Sequence, residues 1–359
     1  MDNAKVEKRK KQLMITAAVF LAVLVIGCFV LPIFSEKVLL FVILLMFFGM
    51  TFSPNDTIRY VSKRVLLAIL TVFIIAAITF FAMNAIPGGP FSTEKAKDPA
   101  VEAMLIQRFN LDKPVGEQFV LYLRNFMQGD MGVSMKTGRD ISQTIGECFG
   151  ISARIGLIAA CIAILGGLVL GSIAALCRNH WPDRLIIFMT TLFVSVPSFV
   201  LATLLLLIFC LQLGWFGIWS TTNQSIVLPV LSLAMYPMSY ITRLTKSSML
   251  DVLGQDYIRT AKAKGVRQSI VVAKHALRNA LIPVITYVGP MVAGILTGSM
   301  VIESVFTIGG LGTQFVKSIN NQDYPMIMGT TIFLAVLMVA ATLISDLVYK
   351  LVDPRIKLD

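Results

Sequence analysis

The 359-residue chain is poor in charge. Asp, Glu, Lys and Arg make up only 14% of it, against roughly 25% in soluble domains. Together with 56% hydrophobic residues, that shortfall excludes a water-soluble globular protein. Histidine is nearly absent: His180 and His275 are the only two, on loops far apart. There is no His-Glu-x-x-His pair for a zinc protease and no Gly-x-x-x-x-Gly-Lys-Ser/Thr loop to cradle ATP phosphates. The five cysteines (Cys28, Cys148, Cys161, Cys177, Cys210) are scattered, mostly inside apolar runs, without metal-ligand or redox spacing. They read as small hydrophobes. No catalytic constellation, metal site or cofactor site of its own is expected.

What the chain does have is long apolar runs and a mean hydropathy of +0.80. A bilayer core about 30 Å thick takes roughly 20 apolar residues per helical span. Eight runs qualify: 13–34, 37–53, 65–86, 151–176, 185–212, 226–242, 281–302 and 325–351. The first follows a basic stretch, Lys5 and Lys8 to Lys11. It exceeds a signal-peptide core and has no Ala-x-Ala site after it, so it is expected to stay as an anchor. Pro229 and Pro237 in the sixth run should kink or interrupt that helix.

The net charge of +11 would suggest nucleic acid in a soluble chain. In a membrane chain it is the positive-inside signal instead. With both termini cytoplasmic, most of the 31 Lys and Arg fall on one side, in 1–12, 54–64, 177–184, 243–280 and the C-terminal tail. The 87–150 segment lies opposite, with mixed charge. A short helix is expected there around Leu121, Tyr122, Leu123, Phe126 and Met127, followed by a turn at Gly129-Asp130-Met131-Gly132. The organisation is therefore an N-terminal pair of spans (1–57), a first core span with an external subdomain (58–150), and a core (151–359) interrupted by a cytoplasmic loop (243–280).

That loop is the most informative stretch. On a helix, Tyr257, Ala261 and Lys264 share a face with Thr260, while Arg259, Lys262 and Ala263 point away, and Gly265 follows. Small residues flanked by charges make a surface another protein can approach closely. Farther on, Arg267, Lys274 and Arg278 fall on one helical face and Ile270, Ala273 and Leu277 on another, an amphipathic pattern suited to a membrane surface or a partner.

Arg259-Thr-Ala-Lys-Ala-Lys-Gly265 followed by His275-Ala-Leu-Arg-Asn-Ala-Leu-Ile-Pro283 resembles the EAA loop of ABC importer permeases, in the oligopeptide and dipeptide branch. The general motif has Glu-Ala-Ala where Arg259-Thr260-Ala261 stands, as is usual in that branch. Further matches follow in order. They are Ile86-Pro-Gly-Gly-Pro90 (Gly89 replacing the family's Asp), Leu111-Asp-Lys-Pro114 with Gln118 and Gly129-Asp-Met-Gly132, and Val196-Pro-Ser-Phe199. Then come Leu213-Gly-Trp-Phe216, Glu303-Ser-Val-Phe306, Gly310-Leu-Gly312, Asp323-Tyr-Pro325 and Asp353-Pro-Arg355. The resemblance covers most of the chain after residue 58; the family has six spans, so the first two are extra.

The resemblance implies an all-α polytopic bundle of the type I importer fold. It also implies a multi-pass location in the cell membrane, among lipid, with no nucleic-acid partner. The assembly it implies is a second homologous permease, two ABC ATPase subunits and an external solute-binding protein, with ATP and Mg held by the ATPases. In such transporters Thr260, Ala261 and Gly265 would allow close docking of an ATPase, with Arg259, Lys262 and Lys264 pairing to acidic or carbonyl groups. The expected cargo is oligopeptides or dipeptides. Alternatives are nickel or another small solute, or an ion-gradient-driven secondary transporter. For the pathway, Arg154 is a weak candidate, since snorkelling to headgroups is the preferred reading. Asp346 is expected to pair with a neighbouring span's Arg or with Lys350. Gly294 and Gly298 are expected to pack helices, and Glu303 to brace an external loop whose turn is Gly309 to Gly312.

Overall fold

A computed structural model describes residues 48–51, 56–86, 104, 106–220, 225–297 and 300–352. The expected span 13–34, nearly all of 37–53, the Pro87–Pro90 ending, Gly298 and the Asp353-Pro-Arg355 match lie outside them. The helices are α1 (Asp56–Ala85), α2 (Val115–Met127), α3 (Ile141–Leu176), α4 (Trp181–Ser195) and α5 (Ser198–Leu205), which runs on as a π-helical stretch over Leu206–Gln212. Then come α6 (Val227–Leu253), α7 (Asp256–Ala263) and α8 (Arg278–Leu296), the last preceded by Gln268–Ile270 and a π-helical stretch, Val271–Leu277. α9 (Met300–Val305), α10 (Leu311–Asn320) and α11 (Tyr324–Val352) complete the series.

Among the described residues, four helices are long and apolar enough to cross a membrane: α1, α3, α8 with its flanks, and α11. They become five if α4 and α5 count as one broken span. The expected single span over 185–212 is thus not straight. The chain bends by 103° between Ser195 and Ser198, at Pro197, which cannot continue the ladder and keeps Val196 extended. Of the kink or interruption expected at Pro229 and Pro237, an interruption is absent. Pro229 sits in the first turn of α6, where its missing N–H costs nothing, and the helix runs through Pro237.

α6 is the middle of the bundle, with α3, α4, α5 and α8 packed around it. Its 27 residues span about 40 Å, but it is too polar to join the membrane-crossing helices above. Ser232, Ser239 and Thr242 are buried, and each returns its hydroxyl to its own helix, on Pro229, Met235 and Met238 carbonyls at 2.7 to 2.9 Å. Burying them therefore leaves no orphan donor. α3 approaches α6 through glycine. A Cβ on Gly167 would lie 2.6 Å from Ile241 Cβ, and one on Gly171 would lie 2.6 Å from the Thr242 carbonyl oxygen. Buried Ala159, Ala160, Ala163 and Ala174 extend the same low relief along α3, the small-xxx-small logic of membrane packing. Gly294, expected to play this part, faces open space.

At the end of the bundle away from α7, the expected short helix is α2. Its Phe119 is seated among Phe73, Phe80 and Phe81 of α1. The expected turn follows, with Gly129 and Gly132 at φ +81° and +82° and the Asp130 carboxylate accepting from Gly132 N–H. α3 then begins on Asp140, whose carboxylate accepts from Gln143 N–H at 2.8 Å. The same region is stapled to α11: Asp323 accepts from the Ser134 hydroxyl and from Met135 N–H.

Candidate functional site

α7 lies across one end of the bundle, held by a cluster drawn from four elements. Ile258 is fully buried there against Ala175 of α3, Met249 of α6, Val271 and Ala276 of the second π stretch, and Ala280 of α8. Burying an Ile side chain is worth about 2 kcal/mol, enough to seat a helix too short to be stable alone. Asn279 adds a polar tie, donating to the Tyr257 hydroxyl at 2.8 Å.

The helix ends in a Schellman cap. Val266 N–H reaches the Ala261 carbonyl and Gly265 N–H reaches that of Lys262, with Gly265 at φ +74°. Nothing lies within 4 Å of where its Cβ would be, so glycine is required here by backbone conformation rather than by crowding.

Of the residues expected to dock a partner, Arg259, Thr260, Lys262, Lys264 and Gly265 are exposed. Arg259 makes only a solvent-facing pair with Asp256 at 3.6 Å, worth little. Thr260 donates its hydroxyl back to the Asp256 carbonyl. Ala261 departs from the expected face: it is half-buried and packs inward with Ile258. The outward surface is thus Tyr257, Thr260, Ala263 and Lys264, flanked by Arg259 and Lys262. Beyond Gly265, Arg267, Lys274 and Arg278 are exposed. The π-helical winding of Val271–Leu277 shifts the periodicity, so Val271, Ala276 and Ala280 turn inward while Ile270 and Ala273 are exposed.

Two ties that sequence reasoning passed over, and one that it anticipated, fix this end. Lys246 of α6 pairs with buried Asp183 of α4, whose other oxygen accepts from Asn179 N–H at 3.0 Å. Arg243 donates to Thr191 at 2.8 Å. Asp346 of α11 binds Arg64 at 3.2 Å and accepts from the Tyr60 hydroxyl at 2.8 Å, so its partner is the neighbouring span's Arg, as expected. Charged groups at helix ends are the available signal for such ties, but which ends meet depends on the fold.

At the opposite end, Glu303 is buried and braces the turn. One oxygen accepts from the Ser152 hydroxyl at 2.7 Å and the other from Thr313 N–H at 3.0 Å, while the Ser152 oxygen accepts from Leu311 N–H at 2.8 Å. The carboxylate thus sits at the N-terminus of α10, where the dipole favours it. Gly310 has no room for a side chain, since a Cβ there would lie 2.5 Å from the Glu303 carboxyl carbon. Arg154, the weak pathway candidate, is exposed on α3 and has no ion-pair partner among the described residues.

Comparison with known proteins places these features. Residues 167–358 match the family model described as binding-protein-dependent transport system inner membrane component, and residues 57–155 match the N-terminal model of the same component. The chain is 46% identical to a dipeptide transport system permease of Bacillus subtilis, over 84% of this chain and 98% of the relative. It is 40% identical to an oligopeptide transport system permease of Haemophilus influenzae (84% and 99%) and to a dipeptide transport system permease of Lactococcus lactis (84% and 100%).

Proposed function

The chain belongs to the family of inner membrane components of binding-protein-dependent transport systems, and from that premise we propose that it is a peptide-translocating permease subunit of an ATP-driven importer. Its cargo on this reading is dipeptides or oligopeptides, delivered by an external solute-binding protein. The near-complete match to permeases named for that cargo, at 46% and 40% identity over almost their whole length, carries the proposal.

The end bearing α7 faces the cytoplasm, and the end bearing α2 and the Glu303 network faces outward. This chain pairs with a second permease and two ATPase subunits, and ATP and Mg are bound by those subunits rather than here. Six residues serve ATPase docking: Arg259, Thr260, Ala261, Lys262, Lys264 and Gly265. The exposed Thr260, Lys264 and flanking cations meet the ATPase, Gly265 sets the turn that ends the helix, and Ala261 keeps α7 low against the bundle. Closure of the ATPases then moves α7, and through the cluster around Ile258 it moves α3, α6 and α8 together. A rigid element seated on three spans is suited to carry such a switch.

The test is uptake of labelled dipeptide into vesicles holding the whole complex. Uptake should cease when the ATPase is inactivated and persist in the presence of an uncoupler. Uptake that survives ATPase inactivation and collapses with the uncoupler would contradict the proposal.

A further inference from the structure

We propose that the facing sides of α6 and α8 line a water-filled path, with Tyr236, Tyr240 and Tyr287 forming a shelf on which passing peptide groups stack. The inference rests on the transporter reading and names the surface that does the translocating.

The contrast lies within the molecule. The exposed positions of α1 are lipid-like: Leu67, Leu70, Phe73, Ile74, Ile78 and Phe81. The exposed stripe of α8 is Asn279, Pro283, Thr286, Pro290 and Gly294, with no large hydrophobic residue along it. On α6 the residues exposed between Leu228 and Asp251 are Tyr236, Tyr240, Ser247 and Asp251, one stripe at helical spacing. Tyr240 and Tyr287 lie midway along α6 and α8 and stack with ring centroids 4.3 Å apart and planes at 29°.

None of the three tyrosine hydroxyls has a hydrogen-bond partner among the described residues. In hydrocarbon each would be an unsatisfied polar group, so this face meets water, a hydrogen-bonding solute or polar groups of a partner rather than lipid, and the small, proline-marked stripe of α8 beside it favours water and solute. Peptides suit such a surface without sequence preference, because every peptide has flat amide planes to lie on the rings and carbonyls to accept from the hydroxyls.

The experiment uses the whole complex, with the five native cysteines of this chain replaced. Single cysteines at Thr286 and Tyr240, and at Leu70 on the lipid-like side, are treated with a charged methanethiosulfonate reagent, which reacts only with thiols in water. The inference predicts labelling of Thr286→Cys and Tyr240→Cys, slowed by transported dipeptide, and none of Leu70→Cys. Tyr240→Ala and Tyr287→Ala should lower uptake at sub-saturating peptide by about five- to tenfold, the scale of one lost aromatic contact, while Tyr240→Phe retains it. If the unsubstituted complex takes up no dipeptide, the transporter reading is at fault. If it does, but Thr286→Cys and Tyr240→Cys stay unlabelled, the face is covered by protein or lipid and the shelf is overturned.

Discussion

Gly265 and Glu303 carry the most specific demands of any single residues. Gly265 holds φ +74° at the end of α7, a conformation that costs other residues about 1 kcal/mol or more. Gly265→Ala should therefore fray the cap, speeding hydrogen exchange of the Gly265 and Val266 amides by about fivefold, with the rest of the bundle unchanged. Glu303 accepts from two buried donors, the Ser152 hydroxyl and Thr313 N–H, and holds Ser152 where it accepts from Leu311 N–H. Glu303→Ala strands buried donors at about 1–3 kcal/mol each and should lower the melting temperature of the purified complex. Glu303→Gln, which keeps an acceptor oxygen, should lower it less. The sequence made a brace at Glu303 legible, because a carboxylate beside a glycine-rich turn needs donors. It did not identify Ser152, which is 151 positions away. The role of Gly265 was legible only as closeness to a partner; the positive φ behind it is visible in the backbone alone.

Among the elements, α7 and the α3–α6 pair decide how movement at one end reaches the rest. Ile258 is the anchor of α7, and Ile258→Ala should cost about 2–5 kcal/mol locally, loosening the helix. Its expected signature is ATPase subunits that still copurify while peptide-stimulated hydrolysis is lost. Gly167→Val would drive a branched side chain into Ile241 and force α3 from α6, at about 1–3 kcal/mol or more. The yield of complex in gentle detergent is the readout, with Gly146→Val in the same helix as the counterpart, since nothing lies within 4 Å of where its Cβ would be. Helix existence and the α2 turn were readable from apolar spacing and glycine. The bend within 185–212 was not legible because hydropathy does not register Pro197. An interruption at Pro237 does not occur: the ring is buried on the packed side of α6 and the helix continues through it. Which residues after Gly265 turn inward was not legible for a third reason: a 3.6-residue period does not describe seven residues of π-helix.

For the whole molecule, charge and apolar length were enough to establish a membrane bundle, and the motif order was enough to place its family. What could not be read was which helix occupies the middle. α6 carries too many hydroxyls to look like a core helix, yet the buried hydroxyls of Ser232, Ser239 and Thr242 are satisfied within the helix itself, leaving that of Thr245 as the buried exception among its described residues. On the proposed function, α7 passes motion from an ATPase to this bundle. Cross-linking tests it most directly, in a variant with its five cysteines replaced and single cysteines at Thr260 or Ala263, assembled with its partners. Cross-links to the ATPase subunit are expected from both positions, changing in yield between nucleotide-free and ATP-bound states, and none from a cysteine at Lys136. Transport-competent complexes with no ATPase cross-link from either α7 position would contradict it.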